Sequence, residues 1–107
     1  MNKSNAKLTT GEIIRQLREE KELPLRKVAA QLDIDTSFFS KIERSERKAT
    51  KEHIHKLEEI FQLEKDFLMI PYLSEKIYYE LSEEDCAGEV LKVAEERVKY
   101  EKRKSKK

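Results

Sequence analysis

Ser37, Ser40, Lys41 and Arg44 fall in one short stretch, DIDTSFFSKIERSERKA, residues 33–49. Wound into a helix at about 100° per residue, they share one arc of its surface. Phe38, Phe39 and Ile42 share another arc of about 100°, nearly opposite. The hydroxyls can donate or accept hydrogen bonds, and the cations supply charge-assisted donors. Such a face suits recognition of a polyanion. The same face also suits a helix that merely needs to stay solvated. The two aromatic rings could stack on bases, but their place on the apolar arc makes core packing the better expectation, with Phe38 near the boundary.

No other constellation in the chain supports catalysis. His53 and His55 lie two residues apart on a helical segment and so point about 200° from each other, which one metal ion cannot bridge. Cys86, the only cysteine, falls on an apolar stripe and is expected to be a buried small hydrophobe rather than a redox sensor. There is no glycine-rich phosphate loop and no nucleophile with a neighbouring histidine. The expectation is therefore a protein that is not an enzyme, with no metal and no cofactor.

The chain has 107 residues, 37% of them hydrophobic and 42% charged, so only a small core is affordable. Two glycines leave little turn chemistry for a sheet protein, and the abundance of Glu, Lys, Arg and Leu favours helix. The fold class expected is all-α. No apolar run approaches the roughly 20 residues that span a bilayer, so no membrane association is expected. The first ten residues lack the apolar core of a secretory signal. With a single cysteine, this points to a reduced cytoplasm. The net charge of +1 conceals segregation: residues 36–56 carry +3, residues 57–96 carry −9 and residues 97–107 carry +6. A polyanion would be drawn to the first and last of these and repelled by the middle one.

The elements that must position the polar face follow from caps and periodicity. Thr9 and Glu12 form a capping box opening a helix that runs to about Glu22. Pro24 starts a second, with Leu25, Val28, Ala29 and Leu32 on one face. Asp33-Ile34-Asp35 is the break, and Asp35 is a suitable N-cap for the helix at about 36–44. Thr50 can cap a fourth helix with Ile54, Leu57, Ile60 and Phe61 inward. In DFLMIPYL the expectation is a short helical turn to about Ile70 and a new helix from Pro71 to about Leu81. A box-like Ser82–Asp85 opens a last helix with Cys86, Val90, Val93, Ala94 and Val98 on one side. The tail KYEKRKSKK has no apolar anchor after Tyr100 and is expected to fray.

Two short helices about a tight break, the second with a polar face, make a helix-turn-helix. The pieces IRQLREEKEL, VAAQLDID and SFFSKIERSER, followed by the helix bearing Leu57 and Ile60, resemble the Cro/C1-type (XRE) helix-turn-helix regulators over about residues 8–70. The resemblance implies a five-helix, lambda-repressor-like DNA-binding domain over 1–70, with residues 71–107 as a C-terminal helical extension ending in a basic tail. It further implies that the third helix enters the major groove of double-stranded DNA. Carried over by position, Thr36, Ser37, Ser40 and Lys41 would read base edges. Arg44, Arg47 and Lys48 would contact phosphates, and Glu43 would organise the loop after the helix. Leu25 departs from the family's frequent Gln, which leaves Arg26 or Lys27 to take the phosphate contact. Asp33 and Ser45 stand where the family commonly has Gly.

Tyr72, Tyr78 and Tyr79 beside Leu73, Ile77 and Leu81 exceed what a five-helix core requires: they either close the monomer core or form a dimer face, and a dimer face through Tyr72, Leu73, Ile77, Tyr78 and Leu81 is the expectation. Three functions fit. One is a dimeric, autoregulatory transcriptional regulator, of the kind found as restriction–modification controllers and small phage or plasmid repressors. Another is an antitoxin whose C-terminal helices hold a protein partner. The last is an interaction adaptor that has lost DNA binding, supported only by Leu25.

Overall fold

The computed structural model describes residues 7–105 and contains six helices: α1 (Thr10–Glu20), α2 (Leu25–Leu32), α3 (Thr36–Glu43), α4 (Lys51–Ile60), α5 (Met69–Leu81) and α6 (Ala87–Ser105). The chain divides into two compact units between Lys76 and Ile77. In the first, α3 packs on α1 and α2, and α2 packs on α4. Ile13 and Ile14 from α1, Val28, Ala29 and Leu32 from α2, and Phe39 and Ile42 from α3 meet Ile54, Leu57, Phe61 and Leu68 in one core.

The helix starts are chemically explicit. Thr9 Oγ1 accepts from the Glu12 N–H at 3.1 Å while Glu12 accepts from the Thr9 N–H at 2.9 Å, a reciprocal box. Thr50 and His53 form a second one, with His53 Nδ1 accepting from the Thr50 N–H at 3.2 Å. Asp35 occupies the N-cap of α3 in extended conformation but makes no side-chain capping bond.

The helix ends share a device. Glu22, Asp33, Ser45 and Gln62 follow α1 to α4 with φ of 56°, 61°, 65° and 56°. After each, the next residue's N–H reaches back to a carbonyl in the last turn: Leu23 to Arg18, Ile34 to Ala29, Glu46 to Lys41 and Leu63 to Glu58. These are Schellman closures, in which a left-handed residue lets the backbone satisfy carbonyls the helix leaves orphaned. None of the four is glycine. Gly11 serves elsewhere: a Cβ there would lie 2.2 Å from the Ile42 carbonyl oxygen, so the missing methyl is what lets α1 rest on the end of α3.

Four expectations are corrected. First, α5 begins at Met69 rather than Pro71. Glu58 Oε2 accepts from the Leu68 and Met69 N–H groups at 2.9 and 3.0 Å, and Pro71 falls in the first turn, where its missing N–H removes no helical bond. Second, Ser82–Asp85 does not cap α6. Glu84 and Ala87 donate to Leu81 and Glu84 in tight turns, and the first helical bond comes from Val90 to Cys86. Third, Cys86 is exposed instead of buried, because it precedes a helix that packs nothing over it. Fourth, in the tail expected to fray the helix continues through Tyr100 to Ser105, with Lys102, Arg103 and Lys104 in its last turn, where cations suit the helix dipole, while Lys106 and Lys107 lie outside the described residues.

Candidate nucleic-acid interface

α3 has eight residues, too few to be stable alone. Packing holds it: Phe39 is fully buried and Ile42 nearly so. Phe38 is half-buried at the edge, its ring meeting His53 edge-on at 6.4 Å. Thr36, Ser37 and Lys41 are exposed and Ser40 is partly exposed, so these four residues share the uncovered side of the helix. Arg26, Lys27, Arg44, Arg47 and Lys48 are also exposed.

The far end of α3 is fixed by an ion pair that spacing alone does not suggest. Glu43 is buried, and its two oxygens accept from Arg18 Nε at 2.7 Å and Arg18 Nη2 at 3.0 Å. The remaining arm of Arg18 donates to the Leu23 carbonyl at 2.8 Å. The bond to Glu43 raises the Arg18 pKa above its ordinary value against the opposing effect of burial, so the guanidinium stays charged. A bidentate fork of this kind fixes orientation as well as distance. It ties the end of α3 to α1 and, through Arg18, to the turn before α2.

The cations beyond α3 are held in different ways. Arg44 turns back along the helix, donating to Ser40 Oγ at 2.7 Å and to both carboxylate oxygens of Glu46 at 3.0 and 3.2 Å. That contact lowers the Glu46 pKa below the usual carboxylate range and raises that of Arg44. Arg47 lies over the Phe38 ring at 5.7 Å, a cation–π contact that keeps it next to α3. Leu25 is half-buried against the core, while Arg26 and Lys27 extend outward beside it. Ser45 donates to Thr9 Oγ1 at 2.7 Å, linking the loop after α3 to the cap of α1.

Of the residues expected at an interface between copies, Tyr72 belongs to the core. It is 7% exposed, and its hydroxyl donates to the Ala49 carbonyl at 2.7 Å. Leu73, Ile77 and Tyr78 are exposed at 37%, 49% and 62%, and Leu81 is intermediate. Two residues that the sequence did not point to complete the frame. Glu75 accepts from the Thr10 N–H at 2.8 Å and the Thr10 hydroxyl at 2.6 Å, and Arg18 is the partner of Glu43. Both contacts join residues far apart in the chain, beyond the reach of helical periodicity.

Among the described residues no cluster of His, Cys, Asp and Glu could hold a metal, and no helix is long and apolar enough to cross a membrane. No curated protein matches the chain, and no solved structure does. The family model for the helix-turn-helix matches residues 14–68, just over half of the chain, from within α1 to the residue before α5. The chain belongs to the Cro/C1-type helix-turn-helix family of DNA-binding transcriptional regulators.

Proposed function

We propose that the protein is a sequence-specific regulator that binds an operator as a homodimer and acts on its own promoter, as a restriction–modification controller or a phage- or plasmid-type repressor does. The observation that carries this reading is α3: its apolar side is sealed into the core, its hydroxyl and lysine side is open, and cations stand beyond its end. Thr36, Ser37, Ser40 and Lys41 would face base edges, with Arg44, Arg47, Lys48 and either Arg26 or Lys27 on phosphates. An eight-residue helix offers few base contacts, and two copies on half-sites about 34 Å apart would supply the rest. Leu73, Ile77, Tyr78 and Leu81 are the surface proposed for joining them.

The test is fluorescence anisotropy with the duplex just upstream of the gene and a shuffled duplex, at two salt concentrations. Binding about a thousandfold tighter to the upstream duplex, with steep salt dependence, is the expected result. Equal, weak binding to both would overturn the reading. A second reading, an antitoxin, draws on the apolar residues exposed in the C-terminal unit. It requires a small protein to co-purify in stoichiometric amount.

A further inference from the structure

The first unit, which ends at Lys76, contains a cleft of about 60 Å³ where the start of α1, the loop after α3 and α5 meet. Pockets that hold small molecules run to roughly 300–1,000 Å³, so this one is too small for an effector or a cofactor. What fits is a single group projecting from something larger. The walls decide its charge: Arg47, Lys48 and Lys76 line the cleft against one acid, Glu75. That acid is already engaged. Its Oε1 accepts from the Thr10 N–H at 2.8 Å and from the Thr10 hydroxyl at 2.6 Å, so it serves the first turn of α1. The balance left over is positive, and the group it suits is an anion.

Two of these cations, Arg47 and Lys48, are the ones proposed for phosphates. The Lys41 carbonyl accepts from the Arg47 N–H at 3.3 Å, and the Arg47 side chain lies over Phe38, so this loop stays beside α3 as it leaves it. Tyr72 brings Lys76 to the same place. Its hydroxyl donates to the Ala49 carbonyl at 2.7 Å, which fastens α5 to the end of the loop. Lys76 Nζ, one turn further along α5, lies 5.0 Å from the centre of the same ring. One buried aromatic residue therefore fixes the loop and steadies the lysine. Lys76 stands in the stretch 57–96, whose net charge of −9 conceals it, and eight residues past the end of the family match at 68.

We propose that Lys76 is a DNA-backbone contact: with Arg47 and Lys48 it holds a phosphate of the duplex that α3 enters, so that α5 as well as the helix-turn-helix grips the strand. The inference rests on the DNA-binding reading and extends it beyond residue 68. A phosphate contact carries no base information, so Lys76 contributes to affinity on every sequence and to its salt dependence.

The test is anisotropy with the upstream and the shuffled duplex over a series of salt concentrations, using the full chain carrying Lys76→Gln, Lys76→Arg or Lys65→Gln. Both lysines are exposed, so the core is not disturbed. Lys76→Gln should lower the slope of log affinity against log salt by about one for each bound copy, alike on both duplexes. Lys76→Arg should keep the slope, because the charge and the ring contact survive. Lys65→Gln removes the same charge from the same unit outside the cleft, and should leave the slope as it is. Equal losses for Lys65→Gln and Lys76→Gln would mean that only net charge is being read. No loss for Lys76→Gln would mean that the cleft lies away from DNA. Either result overturns the proposal. The unaltered chain decides the broader reading separately: steep salt dependence that Lys76→Gln does not change rejects the cleft contact alone, while no salt-dependent binding to either duplex rejects both.

Discussion

α3 and α6 are both amphipathic, and they are opposite in what they cover. α3 has eight residues, buries Phe39, Ile42 and Glu43, and leaves its polar side open. α6 has nineteen residues, buries none of those from Gly88 to Lys104, and leaves its apolar side open. The short helix exists because of what it packs against. The long one has local support: Glu95 and Lys99 pair at 3.4 Å, Lys104 lies over the Tyr100 ring, and cations occupy the last turn. In this chain helix length is therefore a poor guide to stability, and burial is a better one.

The largest effect that could break this comparison is in the core. Phe39→Ala should cost about 3–5 kcal/mol, enough to unfold a marginal domain. Val93→Ala on α6 should leave the denaturation midpoint of the first unit unchanged. Urea titration followed by circular dichroism separates the two, and equal losses would end the contrast. Glu43→Ala comes next. It strands Arg18, whose side chain is 11% exposed, and should cost about 3 kcal/mol. Glu95→Ala, which breaks the exposed pair on α6, should shift nothing measurable.

Substitutions on the open side of α3 should spare stability and change binding. Lys41→Ala is expected to weaken the cognate operator by about 1–3 kcal/mol and relax preference at one base pair. Arg47→Ala should weaken all duplexes alike and lower the salt slope by about one. If both variants lose equally on cognate and random DNA, the division between base and phosphate contacts is wrong. The smallest effect concerns Glu46. Its folded pKa is depressed by Arg44, so the pair's contribution is fully present above the ordinary carboxylate range and lost as pH falls through the lowered value. Near neutral pH the pair holds Arg44 back. Glu46→Gln should release it, steepening the salt dependence of binding by up to about one unit, and an unchanged slope would place Arg44 away from phosphate.

The sequence was most informative where the physics is local. Thr9 with Glu12, and Thr50, marked helix starts because a capping side chain acts within one turn. Phe39 and Ile42 were separable from Ser37 and Lys41 because helical period fixes which residues share a face. What it concealed was long-range. Arg18 finds Glu43 across 25 residues, and Glu75 finds Thr10 across 65. Tyr72 and Leu73 are neighbours in one apolar run, yet one closes the core and the other faces out. Composition could not distinguish them, because the apolar run continues on both sides of the helix.

The left-handed residues after α1 to α4 bear on heat tolerance. Each non-glycine residue in that conformation costs about 1 kcal/mol that glycine would largely avoid, less what glycine loses in ordering. Glu22 and Gln62 are exposed and follow α1 and α4 rather than α3, so glycine at either should raise the melting temperature by a few degrees in a domain of this size. Calorimetry would read the gain, and DNA affinity should be untouched. A regulator of this design can thus be tuned to a warmer host at its helix ends while the surface facing DNA stays as it is.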